Sequence, residues 1–375
     1  MAPSVNKKFR VLVVDDSAFM RKVLETIFNA DEHLQVVGHA KDGREAVALA
    51  ESLKPDVITM DINMPHLDGL QATGQIMTTN PRPIVIVSSE SREGAASTLK
   101  ALELGAIEFV GKPSSGIDLD MQSVREELLR KVRMAAKVRV VRTASRLAYT
   151  LQNGDRNLVP SSAPVHSQNS APRPAVLDQR FPIVVLGAST GGPATVMRLA
   201  PGFTRDFPAA VFLVQHMPAA FTTQYAAQLA EFTSIRVKEA EPNETIQPGT
   251  LYICPGAQHL RVTSSGRIQL DATTGRVNGY LPNIDITMET VAAYAGAMSI
   301  GVVLTGMGND GAAGAKAIKS AGGMVLAQDE ATSVIFGMPA EAIKASAVDQ
   351  VLALDDIYAA IEKRVIDICR PVGTR

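Results

Sequence analysis

The sequence predicts two α/β domains, each built on a largely parallel β-sheet. Short runs rich in Val, Ile and Leu alternate with stretches of helical periodicity in both halves of the chain. A Pro- and Ser-rich segment from Leu151 to Arg180 shows neither period and separates the two halves, as a flexible linker would. At 375 residues the chain is long enough for two or three domains.

In the first half, the β-branched runs predict five strands. These are Arg10–Val14, Gln35–Gly38, Val57–Met60, Ile84–Ser88 and Ile107–Val110. Helical periodicity falls between them, at Ala18–Phe28, Arg44–Leu53, Gly69–Met77 and Ala95–Leu104. This alternation predicts a doubly wound parallel sheet within residues 1–130, with functional groups at the carboxyl ends of its strands.

The second half, residues 181–375, repeats the α/β pattern. Its apolar runs predict strands at Ile183–Leu186, Ala210–Gln215, Thr250–Ile253, Ser299–Leu304 and Gly323–Ala327, with a short hairpin near Val262–Leu270. The prediction is a second doubly wound domain with a mostly parallel sheet. Residues 131–180 are predicted to hold the end of a basic helix followed by the linker.

The charge of the chain argues against a nucleic-acid-binding protein. The 37 basic and 38 acidic residues give a net charge of −1, which argues against a globally basic nucleic-acid binder. The segment Val124–Arg146 is locally basic, and a solvated helix running into a linker explains it better than a nucleic-acid patch. We therefore expect no nucleic-acid partner.

Cysteine and histidine usage bears on compartment and metal binding. Two cysteines, Cys254 and Cys369, exclude a disulfide-stapled scaffold and fit a reducing compartment. The six histidines are scattered without zinc-site spacing. The apolar stretch near the N-terminus is too short for a signal peptide, and Val291–Gly308 predicts a helix and a buried strand instead of a membrane span. A cytoplasmic protein without membrane insertion is expected.

Charged side chains follow three strands of the first domain. Asp15 and Asp16 come after the first strand, Asp61 after the third, and Lys112 after the fifth. In a parallel sheet these groups converge on one edge, where clustered carboxylates need a cation such as Mg²⁺. A carboxylate beside Mg²⁺ and an ammonium group can attack a phosphoryl donor. The alternative, that these are helix caps and turn residues, explains one or two of them but not four.

The motifs VVDDS, MDINMPHLDG, VSS and the KP pair resemble the receiver domain of two-component response regulators. The resemblance implies a flavodoxin-like fold with Asp61 as the phosphoacceptor. It also implies a Mg²⁺ shell formed by Asp16, Asp61 and the Asn63 carbonyl, with Asp15 beside the metal. The switch residues that it implies are Ser88, Phe109 and Lys112.

In the second domain, the strand at Ile183 runs into the turn GASTGG, which is open to several interpretations. A dinucleotide-binding turn would need glycine where Ser189 stands. The pattern G-x-S-x-G also occurs in the nucleophile elbow of α/β-hydrolases, but there the acid precedes the histidine in sequence. A serine presented in another type of α/β hydrolase, or a structural turn with a capping serine, remains open at this point.

Two further strand ends supply partners for this serine. His216 follows the strand AAVFLVQ, and Asp310 lies in the glycine-rich turn after another buried strand. A serine nucleophile needs a base to take its proton, and the resulting imidazolium needs an anion beside it. Ser189, His216 and Asp310 are therefore candidates for a catalytic triad, because triads are recognised by role and not by chain order.

The ordered motifs LGASTGG, VQHMP, CPGAQHL, LTGMGNDGAAG and QDEATSVIFGMP, behind a receiver, resemble the CheB family of chemotaxis protein-glutamate methylesterases. The resemblance implies Ser189 as nucleophile, His216 as general base and Asp310 as its orienting partner. It further implies a supporting hydroxyl at Thr190 and an oxyanion-hole N–H at Met307. The family usually has a Pro-Ser-Val-Asp-like segment where this chain has Pro282-Asn-Ile-Asp285, and Cys254 and His259 are expected to be structural.

This resemblance implies a phosphorylation-regulated serine hydrolase. It would demethylate glutamate methyl esters, and deamidate particular glutamines, on the cytoplasmic domains of methyl-accepting chemoreceptors. Hydrolysis would need no cofactor, Mg²⁺ would serve the receiver only, and a chemotaxis histidine kinase would be the phosphodonor. The alternative is a non-catalytic module in which the receiver gates docking on a receptor or kinase; a complete triad argues against it.

Overall fold

The computed structural model describes residues 8–88, 92–112, 120–138 and 181–370. The predicted linker at 151–180 lies outside these residues. The first described unit alternates strands and helices. Its elements are β1 (Phe9–Val14), α1 (Ala18–Asn29), β2 (Leu34–Ala40), α2 (Gly43–Leu53), β3 (Val57–Met60), α3 (Gly69–Thr79), β4 (Ile84–Ser88), α4 (Arg92–Glu103), β5 (Glu108–Gly111) and α5 (Asp120–Ala135).

The first sheet is five-stranded and parallel, in the order β2-β1-β3-β4-β5. The predicted fold class of this domain is confirmed, and each predicted strand is present. β3 and β4 match the predicted bounds, because both are fully buried, continuous apolar runs. The sheet places Asp15, Asp61 and Lys112 at the carboxyl ends of neighbouring or nearby strands.

Helix α5 closes this unit. Leu128, Val132 and Ala135 are buried in the same apolar cluster as Val11 and Val13 of β1. The predicted domain boundary at residue 130 thus falls inside the helix, whose buried face continues through Ala135. The basic segment predicted as a solvated helix is helical where it is described, with this apolar face against the sheet.

The second unit begins at residue 181 and also alternates strands and helices. Its elements are β6 (Ile183–Ala188), α6 (Gly192–Leu199), β7 (Ala210–Gln215), α7 (Ala219–Ala230), β8 (Arg236–Glu239), β9 (Thr250–Ile253), β10 (His259–Val262), β11 (Ile268–Asp271), α8 (Ile284–Ala295), β12 (Ser299–Val303), α9 (Ala312–Ser320), β13 (Met324–Gln328), α10 (Met338–Lys344), β14 (Gln350–Leu352) and α11 (Leu354–Cys369).

Seven strands form the second sheet in the order β14-β13-β12-β6-β7-β9-β8, and every neighbouring pair is parallel. The predicted mostly parallel sheet is confirmed, and so is the hairpin, which is formed by β10 and β11. The two edge strands, β8 and β14, were not predicted. β8 is charged and β14 has three residues, so neither shows the apolar run typical of a central strand.

The two units contact each other through α4 and β5 of the first and α7 of the second. The rings of Phe109 and Phe221 lie 4.4 Å apart between centroids, and both side chains are buried. At the edge of this contact, Gln228 Nε2 donates a hydrogen bond to Glu103 Oε2 at 3.3 Å. Among the described residues, no helix combines the length and apolar character needed to cross a membrane.

Candidate functional site

Ser189 follows β6 directly and stands on a turn fixed by backbone hydrogen bonds. Its N–H donates to the Thr305 carbonyl at 3.0 Å, and its carbonyl accepts from Gly192 N–H at 2.8 Å. Gly191 has a φ of 76°, and a Cβ there would lie 2.6 Å from Val334. The turn therefore requires glycine at this position, and it presents a partly exposed Ser189 at the carboxyl edge of the sheet.

His216 follows β7, the strand beside β6. Its N–H donates to the Ala188 carbonyl at 3.1 Å, which holds it next to the serine turn. Its Nε2 lies 2.8 Å from Asp310 Oδ2. No hydrogen bond joins Ser189 Oγ to the imidazole within the described residues, and such bonds are often loose before substrate binds.

Asp310 is almost completely buried and fully occupied as an acceptor. Oδ2 accepts from the Ile284 N–H at 2.8 Å as well as facing His216. Oδ1 accepts from the N–H groups of Asp285 and Gly311, each at 3.0 Å. Three backbone N–H groups at and near the N-termini of α8 and α9 thus stabilise the buried Asp310 carboxylate. Without them, His216 would be the only partner of this negative charge in the protein interior.

A second carboxyl group lies behind Asp310. Asp285 Oδ1 accepts from the Gly314 N–H at 2.7 Å. Burial, together with the charge of Asp310, raises the pKa of Asp285 to about 6 from its ordinary value of 3.8. The Asp285 carboxyl group therefore releases its proton at a higher pH than an ordinary aspartate, because its pKa is raised.

Met307 and Thr190 lie on the turns around Ser189. The Met307 N–H has no hydrogen-bond acceptor among the described residues, whereas the Gly306 N–H before it donates to Ile335. A Cβ at Gly306 would lie 2.7 Å from the Ser189 Cβ, so only glycine allows the two turns to approach this closely. The Thr190 side chain is buried, and its carbonyl accepts from Thr305 Oγ1 at 3.0 Å.

In the first domain, the predicted acidic cluster is present. Carboxylate oxygens of Asp15, Asp16 and Asp61 lie within 4.8 Å of one another. Lys112 Nζ lies 2.8 Å from Asp61 Oδ2 and 3.0 Å from Asp15 Oδ2. Three hard oxygen donors with one exposed member, Asp16, fit Mg²⁺, which takes few carboxylates and keeps several waters.

Burial and the ion pair with Lys112 act on the Asp61 carboxyl group in opposite directions, since burial raises its pKa and the ion pair lowers it. Burial opposes the charge of Lys112 as well, but Asp61 and Asp15 together raise the pKa of its ammonium group. The two nearly buried carboxyl groups thus depend on Lys112, or on a metal ion, for neutralisation.

The remaining predicted receiver residues occupy different places. Ser88 is buried at the end of β4, and its carbonyl accepts from the Lys112 N–H at 2.8 Å. Asn63 is exposed two residues after Asp61. Phe109 contacts Phe221 of the second unit, and the Lys131 Nζ lies 5.0 Å from its ring centroid. Strand β5 therefore carries Phe109, which lies in the contact between the domains, and it leads directly to Lys112 of the acidic cluster.

Comparison with known proteins gives consistent matches over both domains. The family model described as CheB methylesterase matches residues 184–361, and the response regulator receiver domain model matches residues 11–124. The protein-glutamate methylesterase/protein-glutamine glutaminase of Pyrococcus horikoshii is 41% identical over 366 residues, covering 97% of this chain and 95% of that protein. The chain belongs to the CheB methylesterase family. It combines this enzyme with a response-regulator receiver domain.

Other CheB relatives agree. The protein of the same description from Symbiobacterium thermophilum is 41% identical over 369 residues, covering 97% of this chain and 99% of that protein. A structural match is the crystal structure of the Thermotoga maritima CheB methylesterase catalytic domain, whose sequence is 38% identical. The superposition has a TM-score of 0.47 and covers 49% of this chain and 99% of that chain. The family-model match and the full-length sequence relatives confirm the predicted protein-glutamate methylesterase/protein-glutamine glutaminase, and they favour it over the non-catalytic docking module.

Several residues around the CheB site were missed by sequence reasoning. Gln215 Nε2 donates to the carbonyls of Ser189 and His216, at 2.9 and 3.3 Å, and Tyr280 stacks on the His216 ring. The dipeptide Asn278-Gly279, a strong hairpin-turn signal, precedes Tyr280 and could have drawn attention to it. Asn283 caps α8 by accepting from the Ile286 N–H at 2.9 Å.

Cys254 and His259, predicted to be structural, are both buried. Burial raises the pKa of the Cys254 thiol, so the reactive thiolate is disfavoured. His259 Nε2 lies 2.7 Å from the Gly275 carbonyl and thereby ties β10 to the loop after β11. The contact of His259 thus helps to hold the β10–β11 hairpin in place.

Proposed function

We propose that Ser189, His216 and Asp310 form the catalytic triad with which this chain hydrolyses γ-glutamyl methyl esters on chemoreceptor cytoplasmic domains. The observation that carries the proposal is the 2.8 Å pair between His216 and the buried Asp310, held at the strand end beside Ser189. The carboxyl ends of β6, β7 and β12, which are neighbours in the sheet, lead to the three members.

The contact between His216 and Asp310 supports a separate role for each nitrogen of the imidazole ring. Because Nε2 faces Asp310, the neutral imidazole carries its proton there, and Nδ1 is left to take the Ser189 proton. Ser189 Oγ then attacks the ester carbonyl carbon, and protonated His216 gives the proton to the departing methoxide oxygen, which leaves as methanol. Asp310 stabilises the imidazolium formed between these two steps.

The tetrahedral intermediate needs a donor for its oxyanion. The Met307 N–H, which has no acceptor among the described residues, is the proposed donor. Water, deprotonated by His216, then cleaves the acyl-enzyme and releases the glutamate carboxylate. The same steps applied to a glutamine side chain release ammonia, which accounts for a glutaminase activity.

In the receiver domain, Asp61 is the proposed phosphoacceptor and a chemotaxis histidine kinase the phosphodonor. Mg²⁺ would be held by Asp16, Asp61 and the Asn63 carbonyl, with Asp15 beside it, and would neutralise charge on the transferring phosphoryl group. Lys112 already contacts Asp61, and Ser88 ends the adjacent strand, so both can respond to a phosphoryl group on Asp61.

The contact between the domains supports control of the esterase by the receiver. Helix α7 begins three residues after His216, and its Phe221 packs on Phe109 of β5. Docking of the unphosphorylated receiver here restricts access to Ser189, and phosphorylation favours the undocked state. Such control requires the two receiver states to bind the catalytic domain with different free energy, about 1.4 kcal/mol for a tenfold effect.

The direct experiment uses chemoreceptor-containing membranes with radiolabelled methyl esters. The full chain should release labelled methanol, faster after treatment with acetyl phosphate and Mg²⁺. Mass spectrometry of the receptor should show glutamate where methyl-glutamate was present. Release of label without that conversion, or no release at all, would contradict the proposed substrate. A cytoplasmic location follows from this substrate and remains part of the proposal.

A further inference from the structure

Tyr280 lies flat against the imidazole of the proposed general base. The rings of Tyr280 and His216 are 4.7 Å apart between centroids and 18° from parallel. This stacked arrangement leaves both nitrogen edges of the imidazole uncovered. Nε2 lies 2.8 Å from Asp310 Oδ2, and among the described residues no hydrogen bond involves Nδ1.

The backbone around Tyr280 is built to hold it there. Val277 and Tyr280 exchange two backbone hydrogen bonds of 3.0 Å, closing a turn whose central residues, Asn278 and Gly279, have φ values of 52° and 88°. Two positive φ angles are typical of a tight hairpin turn with the sequence Asn-Gly. The buried Asn283 adds a hydrogen bond from Nδ2 to the Val277 carbonyl at 3.3 Å, which ties this turn to the start of α8.

The opposite turn is shaped around the same ring. A Cβ at Gly308 would lie 1.8 Å from Tyr280 Oη and 3.1 Å from its Cζ. Gly308 also has a φ of 97°, so two independent constraints require glycine at this position. Because Gly308 stands between Met307 and Asp310, the tyrosine packs against the loop that carries both.

We propose that Tyr280 is a positioning residue for His216, which fixes the plane of the imidazole and stabilises its protonated form through the π face. The inference rests on the proposed triad and extends it. Within the described part of the chain, the titratable groups with a contact to His216 are Asp310 at Nε2 and Tyr280 on the ring face, and Asp285 contacts Asp310. An imidazolium over an aromatic face is attracted by the ring quadrupole, and more strongly where water is excluded.

The test compares Tyr280→Phe with Tyr280→Leu in the full chain, using methyl-ester hydrolysis on receptor membranes. Phenylalanine keeps an aromatic ring against the His216 imidazole, whereas leucine keeps only apolar contact with it. Tyr280→Phe should stay within about threefold of the parent kcat, whereas Tyr280→Leu should lower kcat about 3- to 30-fold with KM nearly unchanged. The acid limb of the kcat/KM profile should move to lower pH in Tyr280→Leu, because the imidazolium loses its stabiliser.

An unchanged kcat and acid limb in Tyr280→Leu would overturn the inference. If that variant does not fold by circular dichroism, Tyr280→Met supplies a flexible side chain without a ring, and the same outcomes apply. Ser189→Ala with Tyr280 intact separates the two hypotheses. If it is inactive while Tyr280→Leu equals the parent, only the role of Tyr280 is wrong; if it stays active, the proposed triad is wrong.

Discussion

The Nε2 atom of His216 lies 2.8 Å from Oδ2 of Asp310, an oxygen that the Ile284 N–H also reaches at 2.8 Å. The carboxylate is therefore both the partner of the imidazole and an acceptor for the protein backbone. Its other oxygen accepts from Asp285 and Gly311. A change at Asp310 should consequently affect stability as well as activity.

We expect Asp310→Ala to lower kcat by about 10²- to 10⁴-fold, less than the loss from Ser189→Ala. It should also lower the free energy of unfolding by about 2–4 kcal/mol, because three buried N–H groups lose their acceptor. Denaturant unfolding and esterase assays measure the two effects. Asp355→Asn, at an exposed surface carboxylate, is the control and should change neither. An Asp310→Ala protein as stable as the parent would contradict the role of Asp310 as a backbone acceptor.

Ser189→Ala should abolish methyl-ester hydrolysis and leave the fold intact, since water alone cannot replace an activated alkoxide. His216→Ala should have nearly the same effect. Methanol release measures the rate, and Ser265→Ala, in the exposed hairpin turn between β10 and β11, is the matched control. A Ser189→Ala rate above about a tenth of the parent's would rule out the serine as nucleophile, because triad losses span orders of magnitude.

Asp61→Asn should abolish incorporation of labelled phosphate from the kinase or from acetyl phosphate with Mg²⁺. Asp16→Asn should weaken Mg²⁺ binding and slow labelling without changing basal esterase activity, because it replaces a charged carboxylate by a neutral amide at the exposed side of the cluster. Asp68→Asn, at a residue that caps α3 outside the cluster, serves as the control. Undiminished labelling of Asp61→Asn would show that another residue receives the phosphoryl group.

The contact between α4 and α7 allows a charge test of receiver inhibition. Gln228 Nε2 donates to Glu103 Oε2, so Gln228→Glu places two carboxylates together and Gln228→Lys places opposite charges together. Ion pairs near the protein surface are worth about 0.2–1 kcal/mol, which corresponds to at most about fivefold in rate. Basal esterase activity without phosphodonor should rise in Gln228→Glu and fall in Gln228→Lys. The reverse order would mean that the docked receiver activates the enzyme.

Asp285 predicts a dependence of stability on pH. Because burial raises its pKa to about 6 in the folded state from 3.8, the folded protein binds this proton more tightly than the unfolded chain. The parent should therefore lose stability as pH rises from about 4 through about 6. Asp285→Asn, whose amide oxygen can still accept from Gly314, should be about 1–3 kcal/mol more stable than the parent at pH 8. This difference should disappear near pH 4, where the parent's Asp285 is protonated. If the difference in unfolding free energy between the two proteins, measured by denaturant titration, stays constant from pH 4 to pH 8, the raised pKa of Asp285 is contradicted.

The sequence by itself determined the two domains, the central strands and the turns that carry chemistry. β3, β4, β7 and β9 match the predicted bounds because each is a short apolar run whose residues are all buried. The positions of Ser189, His216, Asp310 and Asp61 after strands could be read locally, since a strand and the turn that ends it are encoded in a few consecutive residues. The resemblance to known motifs then implied their roles.

The pairing of these residues was decided only by the tertiary structure. His216 and Asp310 are 94 residues apart, and they meet because β12, β6 and β7 are neighbours in the sheet, an order that no local pattern encodes. The same holds for Tyr280 on His216 and Phe109 on Phe221, which depend on how distant loops and helices pack. Periodicity specifies which face of an element is buried, whereas the partner of that face is selected by the free energy of packing the whole chain.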